Sequence, residues 1–199
     1  MPESSRDDGG GPLAPRLVLA SGSPQRRAIL ASLGLAFEVR PTDAPEQEQG
    51  DPVEVARENA RRKAVAARAR PGETVLAVDT VVATGSELWG KPVDERDAAR
   101  TLRALSGRGH RVVSGFALAS AGAVEVGHET TEVRFRALDE PTIAWYVASG
   151  EWRGRAGGYA IQGRGGALVQ RIEGDYLNVV GLPVAALDAL WPAVVGRDG

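Results

Sequence analysis

Apolar positions along this chain follow two rhythms. Short, nearly unbroken runs, RLVLA at 16–20 and TVLAVDTVVA at 74–83, have the length and β-branched content of buried strands. Between them, apolar residues three and four apart predict helices. The first helix has Ser23 as N-cap and Pro24 at its first position, carries Ile29, Leu30 and Leu33 on one face, and stops at Gly34. FEVR, 37–40, reads as a short strand, followed by an acidic, proline-bearing loop at 41–51. Asp51-Pro52-Val53-Glu54 opens a second, alanine-rich helix with an acidic capping box; it runs to about Arg70, with Glu58 and Arg62 paired one turn apart.

The second half continues the alternation. A turn at Thr84-Gly85-Ser86 leads to ELWGKP, and Asp94 caps a third helix that ends at Gly107. Residues 110–120 and 123–138 predict two long antiparallel strands around Ala121-Gly122. A fourth helix starts near Asp139 and ends at Gly150. A Gly/Arg-rich loop, 151–166, surrounds a short strand YAIQ, and GALVQRI, 166–172, reads as another strand. After a turn at Glu173-Gly174-Asp175, Gly181-Leu182-Pro183 introduces a last helix to about Trp191. There are no internal repeats. The expectation is one α/β domain with a mixed sheet over 16–195 and a disordered polar tail over 1–15.

Composition removes several function classes. A formal net charge of -2 gives no global basic field for nucleic acid, so any anion site has to be local. No cysteine means no thiol chemistry, and two histidines, His110 and His128, are too few for a histidine-rich metal site. Both histidines read as structural, with His110 fixing the turn after Ser106-Gly107. The first residues lack the basic and apolar regions of a signal peptide, and no run reaches a membrane span, so the expected location is cytoplasmic. Of 24 basic residues only Lys63 and Lys91 are lysine, leaving 22 arginines. Where arginine is the default cation, a retained lysine marks either chance or a place needing a compact ammonium.

Four features carry candidate chemistry, each with a plainer alternative. SGSPQRRAIL, 21–30, sets Ser21, Ser23 and Arg26 at a strand–turn–helix junction. Unpaired N–H groups and the helix dipole favour an anion there, and simple capping explains the same residues. Asp79 interrupts an apolar strand. A carboxylate there must be paired, metal-bound or turned to solvent at a strand end, and facing a cleft it can activate water. Gly90-Lys91-Pro92 is either a ligand-approaching loop or a plain turn. GRAGGYAIQGRGG is either a surface loop or a flat-ligand cradle, in which the Gln162 amide can read a base edge. Glu46 and Lys63, taken alone, are ordinary solvated positions.

In register, SGSPQRRAIL, the acidic loop with Glu46, ARRKA, VDTVV, GKP, LSGRGHRV, TEVRF, AGGYAIQG and GDYLNVVGLP resemble the Maf family of nucleoside triphosphate pyrophosphatases over about residues 16–190. The resemblance implies an inosine-triphosphatase-like fold: an elongated mixed β-sheet with flanking helices, two lobes and a central cleft. It implies hydrolysis of a nucleoside triphosphate to monophosphate and pyrophosphate with a divalent cation, Mg²⁺ or Mn²⁺. It makes Asp79 the proton acceptor, Ser21, Ser23, Arg26, Lys63 and Lys91 the triphosphate contacts, and Glu46 with Asp79 the metal ligands. It also suggests a homodimer, and a role in septum formation as a nucleotide-binding regulator is the competing expectation.

Three positions bear on substrate. Thr80 and Gln162 match the branch acting on dTTP and UTP. Gln25 separates Pro24 from Arg26-Arg27, as in the branch that prefers 7-methyl-GTP, where the first branch has arginine. The expectation is therefore dTTP, UTP and modified pyrimidine nucleotides, with 7-methyl-GTP or a purine as the alternative. Arg155 stands where the family usually has lysine.

Overall fold

A computed structural model describes residues 16–120 and 122–196; the expected tail, 1–15, lies outside them. The early strands are parallel because helices cross between them. β1 (Arg16–Leu19) lies between β2 (Phe37–Val39) and β3 (Glu73–Thr84), linked through α1 (Pro24–Ser32) and α2 (Pro52–Ala66). From β3 onward the sheet is antiparallel: β4 (Glu87–Trp89) folds back on the end of β3, β5 (Gly109–Ser120) pairs β3, β6 (Ala123–Phe135) pairs β5, and β7 (Val169–Glu173) pairs β6. The order β2-β1-β3-β5-β6-β7, with β4 branching from β3, is the mixed sheet the alternation predicts.

The long strands β3 and β5 pass through two core regions. At one end Leu76, Val78, Phe116 and Leu118 pack on α1 and on α6 (Val184–Leu190) from one face of the sheet. Val75, Ala77, Ala117 and Ala119 pack on the alanines of α2 from the other. At the other end Val82 and Val112 join α3 (Glu95–Leu105), α4 (Glu140–Ala148), Tyr159 and Leu168. Asp79 and Thr80 fall on β3 between these regions, where the apolar cover changes over.

The caps are as the sequence implies. Ser23 accepts from the Arg26 N–H, Asp51 from Val53 and Glu54, Asp94 from Asp97, and Asp139 from Thr142. Glu58 and Arg62 pair at 2.8 Å. Boundaries differ in four places. The second helix ends at Ala66 rather than Arg70, because Arg68 takes a positive φ before Pro71. β6 stops at Phe135 rather than 138, where Arg136 turns its guanidinium onto the Ala167 carbonyl. YAIQ is not a strand: Gly157 and Gly158 both have positive φ, and the Ala160 N–H donates to the Tyr146 hydroxyl rather than to a ladder. Arg164–Leu168 is a 3-10 turn, so the last strand begins only at Val169. Two short elements escape the pattern, β4 and α5 (Tyr176–Val180). Among the described residues no helix is long and apolar enough to cross a membrane.

Candidate active site

A cleft of about 390 Å³ opens between the two core regions. Its lining includes all ten residues singled out above: Ser21, Ser23, Gln25, Arg26, Glu46, Lys63, Asp79, Thr80, Lys91 and Gln162.

One wall is the β1–α1 junction. Arg26 does not project into solvent, as a capping helix alone would allow. Its Nε donates to the Gly181 carbonyl at 2.9 Å, and its terminal nitrogens donate to Ser21 Oγ at 2.9 Å and Thr80 Oγ1 at 3.1 Å. Thr80 Oγ1 in turn meets Ser114 Oγ at 2.9 Å from the neighbouring strand. Burial pushes the Arg26 pKa down and the negative charges of Asp79 and Glu46 oppose the shift, so the guanidinium stays cationic. Gln25 turns back on the cap: its Oε1 accepts from Ser23 Oγ at 3.0 Å.

The floor is Asp79, 6% exposed at the middle of β3. Helix α2 meets it with two side chains one turn apart. Lys63 Nζ lies 2.6 Å from Asp79 Oδ1, and Asn59 Nδ2 donates to Oδ2 at 3.0 Å. The same ammonium lies 2.5 Å from Glu46 Oε1 on the acidic loop. Helix α2 comes this close because Gly115, opposite Asp79 in the β3–β5 ladder, has no side chain. A Cβ there would stand 2.2 Å from the Ala56 carbonyl. Asp79 is thus paired and buried, rather than turned to solvent at a strand end.

The far rim is built from two loops that hold each other. The Gly157 N–H donates to the Gly90 carbonyl at 3.1 Å, and Gly158 leaves room for the Pro92 ring. Exposed Lys91 and half-buried Arg155 face the cleft from these loops. The loop bearing Gln162 is anchored behind by aromatic groups. Tyr159 bonds His110 Nε2 at 2.9 Å through its hydroxyl, and its ring meets Phe135 edge-on with centroids 4.9 Å apart. His110 therefore anchors this loop rather than its own turn. Burial pushes the His110 pKa down to about 4 and that of Tyr146 up to about 12, and raises Tyr159 as well. All three are neutral at neutral pH.

Sequence reasoning missed Asn59, Ser114, Gly115 and Tyr159. Only Asn59 left a usable signal: a polar residue in the apolar stripe of α2, preceded by Val55 and Ala56 and followed by Ala60 and Ala64. The others act through strand pairing and loop packing, which the linear chain does not display.

The assembled groups are a carboxylate held by two donors, a run of cations and a helix N-terminus, all facing one cleft. That set can bind a polyphosphate and take a proton from water beside it. Comparison with known proteins gives the family. The family model described as Maf-like protein matches residues 16–192. A dTTP/UTP pyrophosphatase of Anaeromyxobacter dehalogenans is 51% identical over 188 residues, covering 89% of this chain and 93% of that protein. The enzyme of the same name from Deinococcus radiodurans is 47% identical, covering 86% and 89%, and that from Thermococcus gammatolerans is 46% identical, covering 88% and 93%. Among solved structures, the Staphylococcus aureus Ham1 protein is a distant likeness, with a TM-score of 0.43 and 18% identity over 60% of this chain and 71% of that chain.

Proposed function

The chain belongs to the Maf family, and from that membership we propose that it hydrolyses dTTP and UTP to the monophosphate and pyrophosphate. The observation that carries the reading is Asp79, a buried carboxylate facing a cation-lined cleft with one oxygen on Lys63 and the other on Asn59.

In this reading Ser21, Ser23 and the N-terminus of α1 receive the triphosphate, with Arg26, Lys63 and Lys91 balancing its charge. Arg155 adds a further cation at the rim, in place of the family's usual lysine. The Asp79 carboxylate takes a proton from a water that attacks the α-phosphorus. A new P–O bond forms to the water oxygen, and the bond from the α-phosphorus to the bridging oxygen breaks. Pyrophosphate leaves with that electron pair, where cations stabilise it.

A divalent cation, Mg²⁺ or Mn²⁺, suits the donor set. Two carboxylates, Glu46 and Asp79, already converge on one ammonium, and no cluster of three acidic or histidine ligands occurs among the described residues. An oxygen pair of this kind would suit a hard divalent cation. Glu46 and Asp79 would hold it, and when bound it supplies charge neutralisation at the phosphate oxygens.

Thr80, Gln162 and the names of the relatives support a pyrimidine base. Gln25 supports a second reading, 7-methyl-GTP. The test is a panel of dTTP, UTP, CTP, ATP and 7-methyl-GTP with Mg²⁺, products separated by ion exchange. Pyrophosphate and monophosphate, fastest from dTTP and UTP, are expected. Orthophosphate release contradicts the reaction, and faster turnover of 7-methyl-GTP contradicts the substrate.

A further inference from the structure

Of the two side chains that α2 brings to Asp79, the reaction above employs only Lys63. The other, Asn59, is 2% exposed and lies four residues earlier on the same alanine-lined face. A polar amide in such a place is unfavourable unless its hydrogen bonds are made. Its neighbours fix which way it points. The Gln47 N–H can only donate, so the atom 2.7 Å from it is Oδ1. The Asp79 carboxylate and the Gln47 carbonyl accept, each 3.0 Å from Nδ2.

Asn59 therefore pairs with the backbone of Gln47 on both sides, as an adjoining strand would, and gives its second N–H to Asp79. Gln47 is the neighbour of Glu46, whose carboxylate sits on Lys63. The loop at 41–51 has no regular structure of its own. A single side chain thus ties the loop that bears one carboxylate to the other carboxylate.

We propose that Asn59 is a positioning residue that fixes the orientation of the Asp79 carboxylate and pins the Glu46 loop, so that both acids face the cleft as one rigid unit across Lys63. The proposal rests on the reading of Asp79 as the proton acceptor. The residues lining the cleft do not include Asn59, which acts through Asp79 and Gln47. A rigid supporting contact of this kind keeps reacting groups within the narrow geometry that water activation needs.

The test uses the full chain, steady-state kinetics with UTP and Mg²⁺, and residue-resolved amide exchange without ligand. Asn59→Ala is expected to lower kcat roughly 10- to 100-fold while the KM for UTP stays within about twofold. Exchange at the Gln47 amide should speed up. Asn59→Asp keeps an acceptor for the Gln47 N–H, so it restores Gln47 protection. It also sets a carboxylate in place of the donor to Asp79, so kcat stays as low as in Asn59→Ala. A residue that merely held the loop would regain its rate together with its protection. The proposal is overturned if either folded variant keeps wild-type kcat, or if Gln47 exchange is unchanged in Asn59→Ala. Should Asn59→Ala not fold, the isosteric Asn59→Asp decides by its rate. The wild-type rate tests the hydrolase reading separately, and Gln47 exchange reads Asn59 whether or not UTP is turned over.

Discussion

Asp79 and Gly115 stand opposite each other on β3 and β5, and the missing side chain of the second lets α2 reach the carboxylate of the first. The Ala56 backbone lies on Gly115, and the next turns of the helix deliver Asn59 and Lys63 to the two Asp79 oxygens.

Gly115→Ala should therefore damage both stability and rate. The added methyl would meet Ala56 backbone at 2.2 Å, and overpacking of this kind costs about 1–3 kcal/mol. Urea unfolding should show a lowered midpoint, and kcat should fall because α2 shifts relative to Asp79. Gly109→Ala, on the same strand but with open space around it, is the control and should match wild type.

Lys63 tests why lysine survives among 22 arginines. Its ammonium fits between Glu46 and Asp79 at 2.5 and 2.6 Å. A planar guanidinium does not fit that gap without moving one acid. Lys63→Met and Lys63→Arg should each lose roughly 100-fold or more in kcat/KM. Wild-type activity in Lys63→Arg, measured as pyrophosphate release from UTP, would show that charge alone suffices.

Gln25 is expected to act on nucleotide choice rather than on chemistry. It lines the cleft and bonds Ser23. Gln25→Arg should raise the kcat/KM ratio of UTP over 7-methyl-GTP severalfold. A panel in which that ratio does not move would remove Gln25 from the specificity set.

The stability of the fold should fall on mild acidification through His110. The ring is buried, with its Nδ1 lacking a partner among the described residues, and burial lowers its pKa from 6.5 to about 4. In the unfolded chain the ring takes up a proton as pH drops below about 6.5, while the folded ring stays neutral. Stability is thus lost between about 6.5 and 4, by on the order of 3 kcal/mol. His110→Gln removes this component. Urea titrations at pH 7 and pH 4.5 should show a smaller acid loss in the variant than in wild type, and equal losses would count against the assignment.

Much of this was legible in the sequence, for identifiable reasons. The N-caps at Ser23, Asp51, Asp94 and Asp139 are local hydrogen-bond chemistry, and all of them form. Asp79 stood out because a charge in an apolar run demands a partner, and Lys63 because lysine is rare. What stayed hidden is relational. That Arg26 bonds Ser21, Thr80 and Gly181 depends on bringing together residues up to 155 positions apart. YAIQ has the residue types of a strand, yet Tyr146 of α4 and His110 of β5 hold it through side-chain bonds to Ala160 and Tyr159 rather than through a ladder. Gly115 carries no local signal, because its meaning lies in the helix packed on it.

Hydrolysis of UTP in ¹⁸O-enriched water locates the attack that Asp79 is assigned to promote. After a single turnover with Mg²⁺, mass spectrometry of the products should find the heavy oxygen in UMP and none in pyrophosphate, with Asp79→Asn folded and slower by orders of magnitude. Label in pyrophosphate, or an Asp79→Asn variant that keeps the wild-type rate, would contradict water activation by Asp79 at the α-phosphorus.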